Sequence, residues 1–346
     1  MAAALAGCAK IENVPMAEKQ VSFSVGSYAP DTKASSVLGE FTSFQSRGFL
    51  HAEGVSGTQA FFGESGETIQ WYPATQEWAP ASHPYFWPKS DNSYVNFVSW
   101  YDNAGNPATV SETELAWGNR TIGATDNILF ADEAWRFNGN AQTYQFDGVA
   151  EGVPTLFHHA LAKVAVRAIA KTLVEGSTTW EVKVTGISIS NVFKAGALNL
   201  RNSDPSTATT TKAWTSPGGT APEWTLDPSS TDAIAASGEW TLANQLAGGD
   251  YTTIIDSQSV LPQTITSGMV MTISYTVKTI YDSSHYVKEN VTTTVALSDF
   301  TTSFVAWEMN KIITYSIVID PATDLILFDP DETDWTVMPE TDVVID

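Results

Sequence analysis

The feature that most constrains this chain is a recurring two-residue alternation. Between residues 271 and 297, Met271, Ile273, Tyr275 and Val277 share one parity, while Thr272, Ser274, Thr276 and Lys278 share the other. Successive side chains of a β-strand point to opposite faces, so the pattern predicts a strand with one apolar face. Asp282, Ser283, Ser284 and His285 supply turn chemistry, and Val291, Val295 and Leu297 return on a second strand, which together predict a hairpin. Val21-Ser22-Phe23-Ser24-Val25 alternates in the same way, as do residues 182–189 and Ile313, Tyr315, Ile317 and Ile319. Residues 41–49 and 58–62 read as further strands. Leu156, Ala160, Ala162, Val164, Val166 and Ala168 read as one strand face, with Lys163 and Arg167 opposite. Residues 126–136 form the best helix candidate of the first half. Short strands separated by turns, with few short helices, predict an all-β fold of β-sandwiches.

The chain has 346 residues, more than one hydrophobic core usually serves, so two domains are expected. A polar break at residues 148–154 predicts an N-terminal sandwich over 21–151 and a C-terminal one over 152–346, after a tether over 1–20. Residues 202–250, rich in Ser, Thr, Gly and Pro, read as long loops. Asp and Glu number 39 against 17 Lys and Arg, for a net charge of −22. That balance repels nucleic acid and anionic lipid surfaces. Mean hydropathy is −0.09, and no run of about 18 apolar residues exists to span a membrane as a helix.

Cys8 is the single cysteine. Its context, Leu5-Ala6-Gly7-Cys8, resembles a bacterial lipobox, in which the thiol is acylated and the chain is cut before the cysteine. The expectation is a lipoprotein held in outer-membrane lipid through Cys8, with the preceding residues the tail of a signal peptide.

Several segments resemble the fimbrillin family of Bacteroidales type V pili. Phe157-His158-His159-Ala160-Leu161-Ala162-Lys163-Val164 is similar to the family's F-x-H-A-L-A-K-[VI] strand, and Ser259-Val260-Leu261-Pro262-Gln263 to its [IV]-[IL]-P-Q segment. Residues 307–317, beginning Trp307-Glu308-Met309-Asn310-Lys311, resemble W-x-x-[GN]-K-x-Y-x-Y-x-[IV]. Ile326, Phe328 and Trp335 resemble the closing I-x-F…W element, and residues 78–97 the stretch W…Y-W-P…[VL]-x-F. The resemblance implies two tandem Greek-key, transthyretin-like sandwiches and a pilus subunit at the cell surface, serving adhesion and not catalysis. Its partners would be other subunits, with surface glycans or proteins as adhesion targets. It also implies assembly by strand exchange: a trypsin-like protease frees the first strand, and a neighbour's strand fills the groove. On that scheme Val21, Phe23 and Val25 belong to the displaced strand. Lys33, in the turn-like stretch 29–36, is the preferred cut and Arg47 the other, while Val343, Val344 and Ile345 lie on the donor strand.

Other site signals are weaker. His158 and His159 are neighbours, so on a strand they face opposite ways and do not share a metal. Asp329, Asp331, Glu332 and Asp334 read as a solvated acidic turn that lacks the glycine and distal glutamate of a calcium loop. No phosphate cradle or nucleophile elbow is present, and no cofactor is expected. The ten aromatics from Trp71 to Tyr101 are either core side chains or stacking platforms for sugars. The second option supports an alternative function, a glycan-binding surface lipoprotein of a nutrient-uptake system.

Overall fold

The computed structural model describes residues 19–27, 41–132, 134–139, 152–170, 174–201, 214–215, 252–300, 305–321 and 325–335. Their regular structure is β throughout except for one 3-10 turn, Leu297–Phe300. Numbered along the chain, the strands of the first half are β1 (Phe23–Ser27), β2 (Ser43–His51), β3 (Gln59–Ala60), β4 (Glu67–Tyr72), β5 (Glu77–Pro80), β6 (Tyr94–Asp102), β7 (Thr109–Ser111), β8 (Glu114–Thr121), β9 (Ile128–Ala131) and β10 (Ala134–Phe137). β11 (Val153–His159) joins them in space. Seven strands run in the order β6-β9-β11-β1-β5-β4-β2, and β2 pairs again with β6, so the sheet closes into a ring. Closure depends on β2, which pairs with β4 from Ser43 to Ser46 and with β6 from Gln45 to His51. The ring is packed with aromatic rings. Phe44 lies 5.1 Å from Phe157 and 5.7 Å from Phe23 in edge-to-face contact, the geometry aromatic pairs prefer.

The second half contributes β12 (Ala162–Ala170), β13 (Val174–Glu175), β14 (Thr178–Ser190), β15 (Ala195–Arg201), β16 (Trp214–Thr215), β17 (Thr252–Val260), β18 (Gln263–Thr264), β19 (Val270–Ile280), β20 (Tyr286–Ala296), β21 (Ala306–Trp307), β22 (Lys311–Asp320) and β23 (Leu325–Asp334). Two four-stranded sheets, β17-β12-β22-β23 and β13-β14-β19-β20, share one apolar core that includes Val164, Val166, Val182, Ile273, Ile313 and Tyr315. A third sheet, β16-β15-β8-β7, joins the halves, because β8 pairs with β15. Beneath it a third core takes Trp100 and Trp117 from the first half and Leu161, Leu198 and Trp335 from the second.

Four expectations need correction. The helix expected over 126–136 is two strands, β9 and β10. Ile128 and Phe130 face the third core and Leu129 faces the ring, so β9 is buried on both sides and shows no alternation. The single face through Leu156 and Ala168 is two faces. Val153, Thr155, Phe157 and His159 are buried in β11, then Ala162, Val164 and Val166 in β12, and the parity changes at Ala160–Leu161. Because β11 stays with the ring, the change of sheet falls after His159 and not at the polar break. The acidic segment 329–334 is extended strand, not a turn, paired along β22 from Lys311↔Asp334 to Ser316↔Asp329. Lys311 Nζ meets Asp334 at 2.8 Å and Glu332 at 3.3 Å, and the Asp334 hydrogen bond holds its pKa above the ordinary lysine range.

Candidate functional site

The strand that the sequence singles out for displacement is β1, with Val21 leading into it. Val21, Phe23 and Val25 are 2%, 4% and 8% exposed. Phe23 is the anchor, with ring centroids 5.5 Å from Phe97, 5.7 Å from Phe44 and 6.3 Å from Phe62. Burying such a side chain stabilises by about 1.5–3 kcal/mol.

The backbone around β1 is held unevenly. On one side β1 runs parallel to β11 over five residue pairs, from Phe23↔Val153 to Ser27↔Phe157. One of those partners is Pro154, which has no N–H to give. On the other side a single pair, Phe23↔Trp78, joins β1 to β5. Just before the strand, Val21 N donates to Tyr85 O at 2.9 Å, Trp87 N to Lys19 O at 3.1 Å and Val153 N to Ser22 O at 2.8 Å. Gly152 makes the close approach possible, since a Cβ there would stand 2.8 Å from Phe23 C and 2.9 Å from Ser24 N. Removing β1 would leave β11 and β5 with facing edges and an apolar slot lined by Phe44, Phe97 and Trp78. That is the geometry of a groove that accepts an added strand.

Of the expected site residues, Cys8, Lys33, Val343, Val344 and Ile345 lie outside the described residues. Arg47 is described. It lies inside β2, which is paired on both sides. Its Nη1 donates to Val110 O at 2.5 Å, and its Nη2 is 3.8 Å from Glu64. A protease needs an extended, accessible backbone, and β2 does not offer one.

The histidine pair does face two ways. His158 Nε2 is 3.0 Å from Asp132, and its ring stacks on Phe130. His159 is fully buried, its Nδ1 3.0 Å from Asn127 Oδ1 and its ring stacked on Trp335 at 3.5 Å. Burial holds the His159 pKa well below the ordinary histidine value, and Lys163 and His158 push it the same way. Among the described residues no three His, Cys, Asp or Glu side chains group as metal ligands do.

The motifs of the second half meet around Trp335. Lys163 Nζ lies 4.1 Å over its ring, and Trp335 N donates to Asn310 O. Asn310 N donates to Leu161 O, and Asn310 has φ of 63°. That left-handed conformation suits glycine or asparagine, the two residues the motif admits. Gln263 pairs with Trp307 and holds both Phe193 N and Phe193 O. Nothing local indicates that these segments converge, because they lie far apart along the chain. A cleft of about 520 Å³ opens beside them, between Phe130, His158, Trp214, Pro262, Trp307 and Met309.

Of the ten aromatics from Trp71 to Tyr101, only Phe86 is exposed, at 40%. Trp78, Trp87, Phe97 and Trp100 are buried in the ring and the third core. Tyr85 gives its hydroxyl to Glu67 at 3.1 Å, and burial raises its pKa.

No family profile and no curated protein matches the sequence. Solved structures do. A fimbrial protein from Bacteroides vulgatus is similar over 92% of this chain and 99% of its own, at 14% identity and a TM-score of 0.57. A candidate cell adhesion protein from Bacteroides uniformis is similar over 92% and 98%, at 14% identity and a TM-score of 0.46. Another, from Bacteroides ovatus, covers 93% and 100%, at 13% identity and a TM-score of 0.46. The first likeness establishes a shared fold, of the fimbrillin-like kind that the sequence motifs resemble.

Proposed function

We propose that this chain is a cell-surface fimbrial subunit that assembles by strand exchange and serves adhesion without catalysing a reaction. The observation that carries the reading is the seat of β1: a short strand with a deep aromatic anchor, a five-pair ladder on one side and one pair on the other. The fold shared with a fimbrial protein supports it. In this reading the chain is two tandem β-sandwich units, the first closed into a ring by β2 and taking in β11, so that the second begins after His159. Acylated Cys8 would hold the subunit in the outer membrane before assembly.

A trypsin-like cut after Lys33 would separate β1 from the body, and the tight pairing around Arg47 makes that residue the poorer site. Residues 343–345 of a neighbour, Val-Val-Ile, would then occupy the slot with similar burial. Exchange between strands of like stability is governed by concentration and tethering. The glycan-binding alternative drew on the aromatic stretch, and nine of its ten rings lie buried or half-buried, which favours the packing role.

The test is to treat purified protein with a trypsin-like protease and separate it on a denaturing gel without boiling. Ladders are expected for the wild type and not for Lys33→Ala or for a chain ending at Trp335. Ladders that persist in both variants would overturn the scheme.

A further inference from the structure

β20 is an edge strand. Its whole length pairs with β19, from Ile280↔Tyr286 to Val270↔Ala296, and among the described residues no strand pairs with its other side. Long, regular, solvent-facing edges are templates for another strand, and proteins usually blunt them with bulges, prolines or charged side chains. β20 has no proline, its ladder has no register shift, and its two charges, Lys288 and Glu289, are of opposite sign. Tyr286 is 61% exposed and Val287 47%, with Tyr281 beside them at 53%.

We propose that the β20 edge is a self-association surface that pairs antiparallel with the β20 of a second copy, about a two-fold axis at Val291. Two features of the strand identify that occupant. The first is charge. The chain carries −22, so copies repel over most of their surface. Across β19, the turn and β20, however, Lys278 and Lys288 balance Asp282 and Glu289. The second is register. Residues that offer their backbone groups to one edge share a parity, so only alternate registers can form. A register centred on Lys288 opposes two lysines, and one centred on Glu289 opposes two glutamates. Centring on Val291, the middle of β20, overlaps the whole strand. It opposes Val287 to the partner's Val295 and Val291 to the partner's Val291. It also sets Lys288 against the partner's Thr294 and Glu289 against the partner's Thr293. β-Branched residues facing one another are favourable cross-strand pairs, and no like charges meet. The β13-β14-β19-β20 sheets of the two copies then become one sheet of eight strands. A contact of one strand per copy is small, so the dimer is weak in solution and strengthens where copies are arrayed side by side. It leaves β1 and its groove untouched, so it stands apart from the exchange reading.

The experiment uses the intact, uncleaved chain in sedimentation velocity over a concentration series reaching the millimolar range. The wild type is expected to dimerise reversibly. Thr294 is exposed, and its own cross-strand neighbour is the uncharged Thr272, so its substitution spares the fold. Thr294→Glu sets a glutamate against Lys288 twice per dimer and should tighten the dimer by roughly 2- to 30-fold. Thr294→Lys should weaken it to the same degree. In a Cys8→Ser background, Val291→Cys should cross-link under mild oxidation. Lys288→Cys should not, because its partner lies about 20 Å away along the strands. A monomer at every concentration, equal affinity for the two Thr294 variants, or cross-linking through Lys288→Cys in place of Val291→Cys would each overturn the proposal. An edge covered by another segment of the same chain, or reserved for a different protein, would give the first of these results.

Discussion

β1 and β12 each run parallel to a neighbour with apolar side chains buried, yet they are held differently. β12 pairs with β22 over eight residues from Lys163 to Ala170 and with β17 on its other side from Ala162 to Ala168. β1 has five pairs on one side and one on the other, with a single bridge, Gln20↔Phe86, just before it. Burial is alike in kind, since Val164 and Val166 are fully buried and Val21 and Phe23 nearly so. The difference lies in the backbone. Side-chain burial sets how strongly a strand prefers its slot, whereas ladders on both sides tie its opening to that of the whole sheet. On the proposed reading β12 would leave only when its core unfolds, whereas β1 would leave alone, so that tight seating and ready exchange would be compatible in one strand.

The comparison breaks if the core behind β12 proves as local as β1. Tyr315 is fully buried on β22, and its hydroxyl accepts from Trp307 Nε1 at 3.0 Å. Tyr315→Ala should cost about 3–5 kcal/mol, from the cavity left by the ring and the loss of its hydrogen bond with Trp307. Urea unfolding should show a large fall in the midpoint with protection lost across both four-stranded sheets. Phe23→Ala removes a comparable ring from β1. Its loss of about 3 kcal/mol should appear as faster hydrogen exchange at β1 and faster cutting at Lys33, with little change in exchange at β12. Equal loosening of β12 would erase the distinction.

Gly152→Ala sharpens the same point at lower cost. The added Cβ presses on the Phe23 and Ser24 backbone, and relief of such a contact typically costs about 1–3 kcal/mol. Exchange should rise in β1 first, as read peptide by peptide in mass spectrometry.

Why some of this could be read from sequence and some could not follows from burial. The β19–β20 hairpin and β22 each have one face on a core and one more open, so their alternation is plain; β1 alternates in residue type, although Ser24 on its second face is itself only 4% exposed. Asp282 closes the predicted turn by accepting from Ser284 N at 2.7 Å and His285 N at 2.9 Å. β9 lies between two cores, and a short run buried on both sides carries no period. β8 and β15 are individually strand-like, but nothing local announces that they pair across the halves. The acidic segment of β23 reads as a turn when its charge is weighed without Lys311, which comes from the neighbouring strand. For the site, the apolar face of β1 was legible from Val21, Phe23 and Val25. Its lopsided pairing and the need for Gly152 were not, because both depend on β11, more than a hundred residues away in the chain.

The smallest expected effect concerns pH and the clasp around Trp335. His159 is buried and its pKa is lowered in the fold, so the unfolded chain binds the extra proton first. The stability it contributes is fully present above about pH 6.5 and is lost as pH falls toward the lowered folded value, with a slope of at most about 1.4 kcal/mol per pH unit. Urea midpoints of the wild type should decline over that window. His159→Gln should decline less steeply, whatever its starting stability. Parallel slopes would remove His159 from the account.

The central claim is that β1 is a replaceable part of an otherwise intact fold. The direct measurement is to cut the chain after Lys33, add a synthetic peptide spanning residues 337–346, and follow the body by native mass spectrometry. The account predicts that the fragment carrying Val21–Val25 departs and one peptide takes its place, while exchange protection in β12 is unchanged. A fragment that stays bound at saturating peptide, or a body that unfolds when the fragment leaves, would contradict it.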